Sequence, residues 1–227
     1  MSNAPLVSLP VFRSPVGPAH AVTILLGAVA ATDLLIIGAA FNVRGLMREV
    51  GSGGGTYTQD ELDLADIFMG GGSLLYGVLL IATASVYIVW FHRARCNAEV
   101  FAPDLQRRGA GWAIGAWFIP IVNLFMPRGI AGDVWRASSP DPYGRPVSTA
   151  LLNFWWGAWI VSLFYDRYAT KTYDKAETPG EIADAATLVM TGAAFDIGAA
   201  VLAILVVRKV TAMQHAKATG GVVPATL

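Results

Sequence analysis

Two carboxylates stand where carboxylates are expensive. Asp33 and Asp196 each lie inside a long apolar stretch, 21–41 and 185–207, and are the only charges in five such stretches, the others being 67–91, 109–126 and 147–165. A charged Asp at the centre of a bilayer costs roughly 2.5–3.5 kcal/mol, so such residues face a bundle interior and find a partner. Counted along a helix from His20 and from Arg208, the two acids lie about 20 Å and about 18 Å in, at nearly the same depth. Low dielectric and a neighbouring like charge both favour the protonated form of a carboxyl. The chemistry open to this pair is therefore proton or cation binding. The plainer alternative is a protonated Asp that hydrogen-bonds to a neighbouring helix and holds the bundle together. Thr32, Gly38, Gly192 and Gly198 surround them with small residues, which let helices approach closely.

A second group lies in 90–136. Arg93 and Asn97 are four apart and share a helix face. Beyond them come Trp112, Trp117, Pro120, Asn123 and Trp135. Pro120 frees a backbone carbonyl, and irregular backbone at membrane depth needs a partner. These residues suit a cytoplasm-facing pocket in which Arg93 binds an anionic head group and the tryptophans grip an apolar body. They equally suit an interface anchor whose polar groups satisfy one another. Trp155 and Trp159 share a face deep in the fourth apolar stretch, where they could line an apolar slot or pack on a neighbour or lipid.

No catalytic residue, metal ligand set or cofactor motif emerges. His20, His92 and His215 are scattered and Cys96 stands alone. No nucleotide-binding loop or nucleophile motif is present.

The elements that must position these groups follow from where charge is absent. The chain has 227 residues, of which 55% are hydrophobic and 14% charged, against about 25% charged in a soluble domain. The net charge is zero, so a basic nucleic-acid-binding surface is excluded and no nucleic-acid partner is expected. Helices of about 20 apolar residues cross a bilayer core. Four of the stretches suffice: 21–41, 67–91, 147–165 and 185–207. The fifth, 109–126, carries Pro120 centrally and Gly109, Gly111 and Gly115 at its start. Loop charges arbitrate. With four spans the Lys and Arg residues divide eleven against five; with five spans they divide eight against eight. The positive-inside rule favours the uneven split.

The expected architecture is thus an all-α, polytopic membrane helix bundle of four transmembrane helices, with 109–126 re-entrant or interfacial. It sits in the cell (inner) membrane with both termini cytoplasmic. One bundle domain is expected over 19–212, between a disordered tail at 1–18 and a flexible tail at 213–227. Thr58 with Glu61, and Thr178 with Glu181, read as helix N-terminal caps, placing helix starts near Gln59 and Pro179. Gly51 through Gly55 reads as a flexible hinge.

The order Trp90-Phe91, Arg93, Asn97, then Trp112, Trp117-Phe118, Pro120, Asn123, Pro127, then Trp135 and Ser138 resembles an uncharacterised actinobacterial family of integral membrane proteins, known only as a domain of unknown function. The resemblance implies a multi-span bundle and no reaction. The leading expectation is a non-enzymatic membrane interaction or lipid- or small-ligand-binding protein, an accessory subunit with membrane lipids, a homo-oligomer or a partner membrane protein as company. A proton- or cation-coupled transporter or channel using Asp33 and Asp196 is the alternative. A membrane enzyme on a lipid or isoprenoid phosphate at Arg93 is the third reading, with Glu99, Asp104 and Asp133 as its only nearby acids.

Overall fold

The computed structural model describes residues 11–53 and 58–220. Six α-helices run in order: α1 (Val16–Ser52), α2 (Gln59–Phe101), α3 (Trp112–Gly115), α4 (Met126–Ser138), α5 (Ala150–Tyr173) and α6 (Pro179–Thr219). Among the described residues there is no strand. Three helices, α1, α2 and α6, are long and apolar enough to cross a membrane. The expected tails at 1–10 and 221–227, and Gly54 and Gly55 of the expected hinge, lie outside the described residues. Residues 213–219, expected as tail, are instead the end of α6, and α1 already begins at Val16. Hydrogen bonds from the side chains of Gln214 and Lys217, and between Asn97 and the Arg13 backbone, hold these ends.

Both local caps form as the sequence dictates. At α2 the Thr58 amide donates to Glu61 Oε2 at 2.9 Å, and the Glu61 amide donates back to Thr58 Oγ1 at 3.3 Å. At α6 the amides of Glu177 and Thr178 donate to Glu181 Oε2 at 3.1 and 3.0 Å. These backbone hydrogen bonds hold the Glu181 carboxyl below the usual glutamate range. A depressed carboxyl contributes order that is complete above its unfolded pKa and lost as pH falls through its folded one. The Glu177 and Thr178 amide resonances are therefore expected to titrate together, with a midpoint below that of an ordinary glutamate. In Glu181→Gln that titration should vanish; its persistence would assign it to another group.

The chain divides into two compact units. One comprises 22–85 and 153–206, and holds most of α1, α2, α5 and α6. Its side chains fall into three layers. At one end Ala40, Val43, Ala65, Met69 and Ala186 are buried together, with Tyr173 packed against them. In the middle, Tyr76 of α2 meets Asp196 of α6. At the other end Leu26, Val29, Leu80, Trp159 and Ala203 line one cavity. Through the three layers the numbering falls in α1 and α5 and rises in α2 and α6. The four segments therefore alternate in direction, as short connections between successive helices require. At Gly72 α2 runs beside α1: a Cβ there would lie 3.4 Å from Ile36 Cγ1, at van der Waals contact.

The other unit comprises 11–21, 86–152 and 207–220 of the described residues. Here the segment after α2 breaks up as its prolines and glycines demand. A 3₁₀ turn over Pro103–Leu105, the single turn of α3 and a second 3₁₀ turn over Val122–Leu124 lead into α4. Pro120 sits in a γ-turn, with the Val122 amide donating to its carbonyl at 2.7 Å. The central residue, Ile121, is held at φ 67°. That is a costly conformation for a β-branched side chain. It turns Phe118, Ile121 and Phe125 outward, each 71–72% exposed.

Candidate functional site

Three acids of the first unit converge. Asp33 of α1, Asp166 of α5 and Asp196 of α6 lie within electrostatic reach of one another and of Tyr76. Tyr76 donates its hydroxyl hydrogen to Asp196 Oδ2 at 3.0 Å. The side chains of Asp166 and Asp196 lie close enough to interact directly. Asp33 is 1% exposed, and its Oδ2 has no hydrogen-bond partner. A buried oxygen left so costs about 1–3 kcal/mol unless something supplies a donor or a charge.

Local sequence explains the approach. Gly192 stands one turn before Asp196 on α6, and a Cβ there would come within 2.5 Å of Asp166 Oδ1. The absent side chain is the space that the Asp166 carboxyl occupies. Thr32, beside Asp33, turns its hydroxyl back onto the Ala28 carbonyl at 3.0 Å and so makes no claim on the acid.

Asp166 and Asp196 line a cavity of about 720 Å3. One face of α5, from Trp155 through Trp159, Ser162 and Asp166 to Thr170 and Asp174, runs along it. The sequence expectation of an apolar slot beside Trp155 and Trp159 thus finds a cavity there. Sequence reasoning missed Asp166 and Tyr76. Asp166 directly follows the fourth apolar stretch and precedes Arg167, so it reads as a loop charge; its three-residue spacing from Leu163 and four-residue spacing from Ser162 were the available signal.

The expected pocket residues of the second unit are dispersed among several roles. Asn97 is fully buried. Its Nδ2 donates to the Arg13 carbonyl at 2.8 Å and to Gln214 Oε1 at 3.0 Å, and its Oδ1 accepts from the Arg13 amide at 2.9 Å. Gln214 in turn donates to the Ala94 carbonyl at 2.8 Å and to Ser138 Oγ at 3.0 Å. Both Asn97 donors are thereby taken up in joining α2, α6 and the segment before α1. Arg93 donates from Nη1 to the Ser14 carbonyl at 3.0 Å. Trp117 packs edge-on against Tyr87 and Phe91, with centroids 5.6 and 5.9 Å away. Trp135 is buried, Asn123 half-buried, and Trp112 and Pro120 are exposed. Lys217 donates to the carbonyls of Ala137 and Ser139 at 3.0 and 2.9 Å, and burial pulls its ammonium pKa below the ordinary lysine value.

Compared with known proteins, the chain matches at residues 54–212 a family model described as "Domain of unknown function (DUF4328)". No curated protein and no solved structure matches it.

Proposed function

The chain belongs to the DUF4328 family, and since that membership carries no activity we propose one from the geometry: a multi-pass membrane protein whose helix bundle binds protons and cations at Asp33, Asp166 and Asp196. The observation that carries this is the unpartnered, 1%-exposed oxygen of Asp33 beside two further acids. A purely structural acid needs one hydrogen bond to a neighbouring helix. Three acids together are stabilised by a positive charge among them. Exchange of a proton for a cation at such a cluster is the elementary step of a coupled carrier, and no chemical transformation is required.

In this reading α5 is the fourth crossing, and both termini are cytoplasmic. It is apolar through 147–165, but Asn153, three tryptophans and three tyrosines along α5 lower its hydropathy below that of α1, α2 and α6. The direction in which its layers run supports it, since they follow those of the other three helices.

The test is proton release. Purified protein in weakly buffered nanodiscs is expected to release about one proton per chain on addition of sodium or tetramethylammonium, with a carboxylic-acid infrared band declining in step. Asp33→Asn and Asp196→Asn should each lose most of that release while retaining helical circular dichroism. Equal release from wild type and both variants would defeat the proposal.

A second reading rests on the outward apolar tip. Phe118, Ile121 and Phe125 together expose more apolar surface than a water-facing loop sustains, which favours an interfacial anchor at 109–126 that lies among lipids.

A further inference from the structure

The cavity beside the acids is two-ended, and its two ends ask for one kind of molecule. Along α5, Trp155 to Asp166 spans about 16 Å, and along α6, Asp196 to Ala203 spans about 10 Å. The polar end is lined by Tyr76, Asp166, Asp174 and Asp196, together with Arg167 and Lys171. The other end is lined by Leu26, Val29, Leu80, Trp155, Trp159 and Ala203, and carries no charge. Asp33 adds a further carboxyl within electrostatic reach of Asp196, outside the cavity lining.

An inorganic cation uses only the first end. No three described His, Cys, Asp or Glu residues are placed to hold a metal ion, so the cation of the reading above is one attracted by charge and not enclosed by a ligand set. The volume, about 720 Å3, is that of sites which enclose drug-sized molecules. Indole faces attract ammonium groups and apolar chains alike.

Resting on the cation-binding reading above, we propose that this cavity takes an amphipathic ammonium ion, with its positive head between Asp166 and Asp196 and its apolar body along Trp155 and Trp159. Arg167 and Lys171 are exposed and lie one residue or more towards the C-terminal end of α5 from Asp166. They repel a second positive charge and so favour monovalent over divalent amines. The shared chemistry, an ammonium group on an apolar chain, exists both in free amphiphiles and in lipids with amino head groups.

The test uses a ligand series on the full chain in phosphatidylglycerol nanodiscs, which contain no ammonium lipid, with empty discs as the blank. Octyltrimethylammonium is expected to bind saturably by calorimetry, at least tenfold more tightly than tetramethylammonium. 1-Octanol should show no saturable binding. Asp166→Asn should weaken octyltrimethylammonium at least tenfold, and Trp159→Ala should weaken it while leaving tetramethylammonium unchanged. The ligand series itself needs no variant, so misfolding of either one leaves the proposal exposed to refutation. Added phosphatidylethanolamine that competes would identify a lipid amine as the occupant; no competition would identify a free amphiphile, and either supports the proposal. If 1-octanol binds as tightly, or Asp166→Asn binds octyltrimethylammonium unchanged, the cavity is an apolar crevice and the inference is overturned. Should octyltrimethylammonium fail while sodium still releases protons, the apolar arm is wrong and the cation–proton reading stands. Should neither act, both fall.

Discussion

Asn97→Ala is expected to destabilise the protein by about 3–5 kcal/mol, lowering its unfolding midpoint by about 10 °C. The substitution removes little volume, so a cavity contributes only part of the cost. The main loss is three partners stranded at once. The Arg13 amide, the Arg13 carbonyl and Gln214 Oε1 each lose their hydrogen bond to Asn97. Gln214 is itself fully buried, so water cannot readily replace the missing donor. Asn97→Asp should be at least as damaging, because it buries a charge and removes both donors. Arg107→Ala is the control. Arg107 pairs with Asp133 at 2.7 Å, and that hydrogen bond raises its pKa, but the arginine is 70% exposed. An exposed pair is worth about 0–1 kcal/mol. Thermal unfolding in one detergent, followed by tryptophan fluorescence, compares the three. Equal midpoints for Asn97→Ala and Arg107→Ala would mean that the Asn97 network contributes no more than a surface ion pair.

What could be read in advance was local or periodic. The caps at Thr58 and Thr178 were legible because both partners lie within four residues. Asp33 and Asp196 were legible because charge in an apolar stretch can be counted against helical rise. Trp155 and Trp159 were legible as a pair because four residues separate two side chains of one face. Asn97 stayed open between a pocket donor and one of a set of mutually satisfied polar groups for the converse reason. Its partners stand 84 and 117 residues away, and nothing in the sequence says that two donors at the end of a helix are already spent. Pro120 was expected to free a carbonyl one turn earlier; what the fold adds is that the carbonyl of Pro120 itself accepts from the Val122 amide two residues on, through strain at Ile121. Asp166 was lost to its neighbour Arg167, since an acid next to a base at a stretch end resembles any solvated loop. Only a fold that sets Gly192 against it turns that acid inward.

Gly192→Ala separates the site from the fold more sharply than any change to the acids. In an ordinary helix interior, Gly to Ala gains about 1 kcal/mol of intrinsic propensity. Gly192 lies well inside α6 with an unexceptional backbone, so the helix itself welcomes the methyl group. The obstacle is Asp166, whose Oδ1 would lie 2.5 Å from the new carbon. A carboxyl at the end of a short side chain can rotate away, so the clash is relieved by moving the acid and not by parting the helices. Unfolding stability should therefore change by less than about 1 kcal/mol, the propensity gain offsetting the displacement. The acid cluster should not survive intact, because the rotation that clears the methyl group displaces the Asp166 carboxyl from its place beside Asp196. Cation-driven proton release is expected to fall at least tenfold in a protein that melts where the wild type does. Gly198→Ala, with nothing within 4 Å of its added carbon, should leave both properties unchanged. Were Gly192→Ala to release protons like the wild type, the release would not depend on where Asp166 stands, and the cluster would lose its third member.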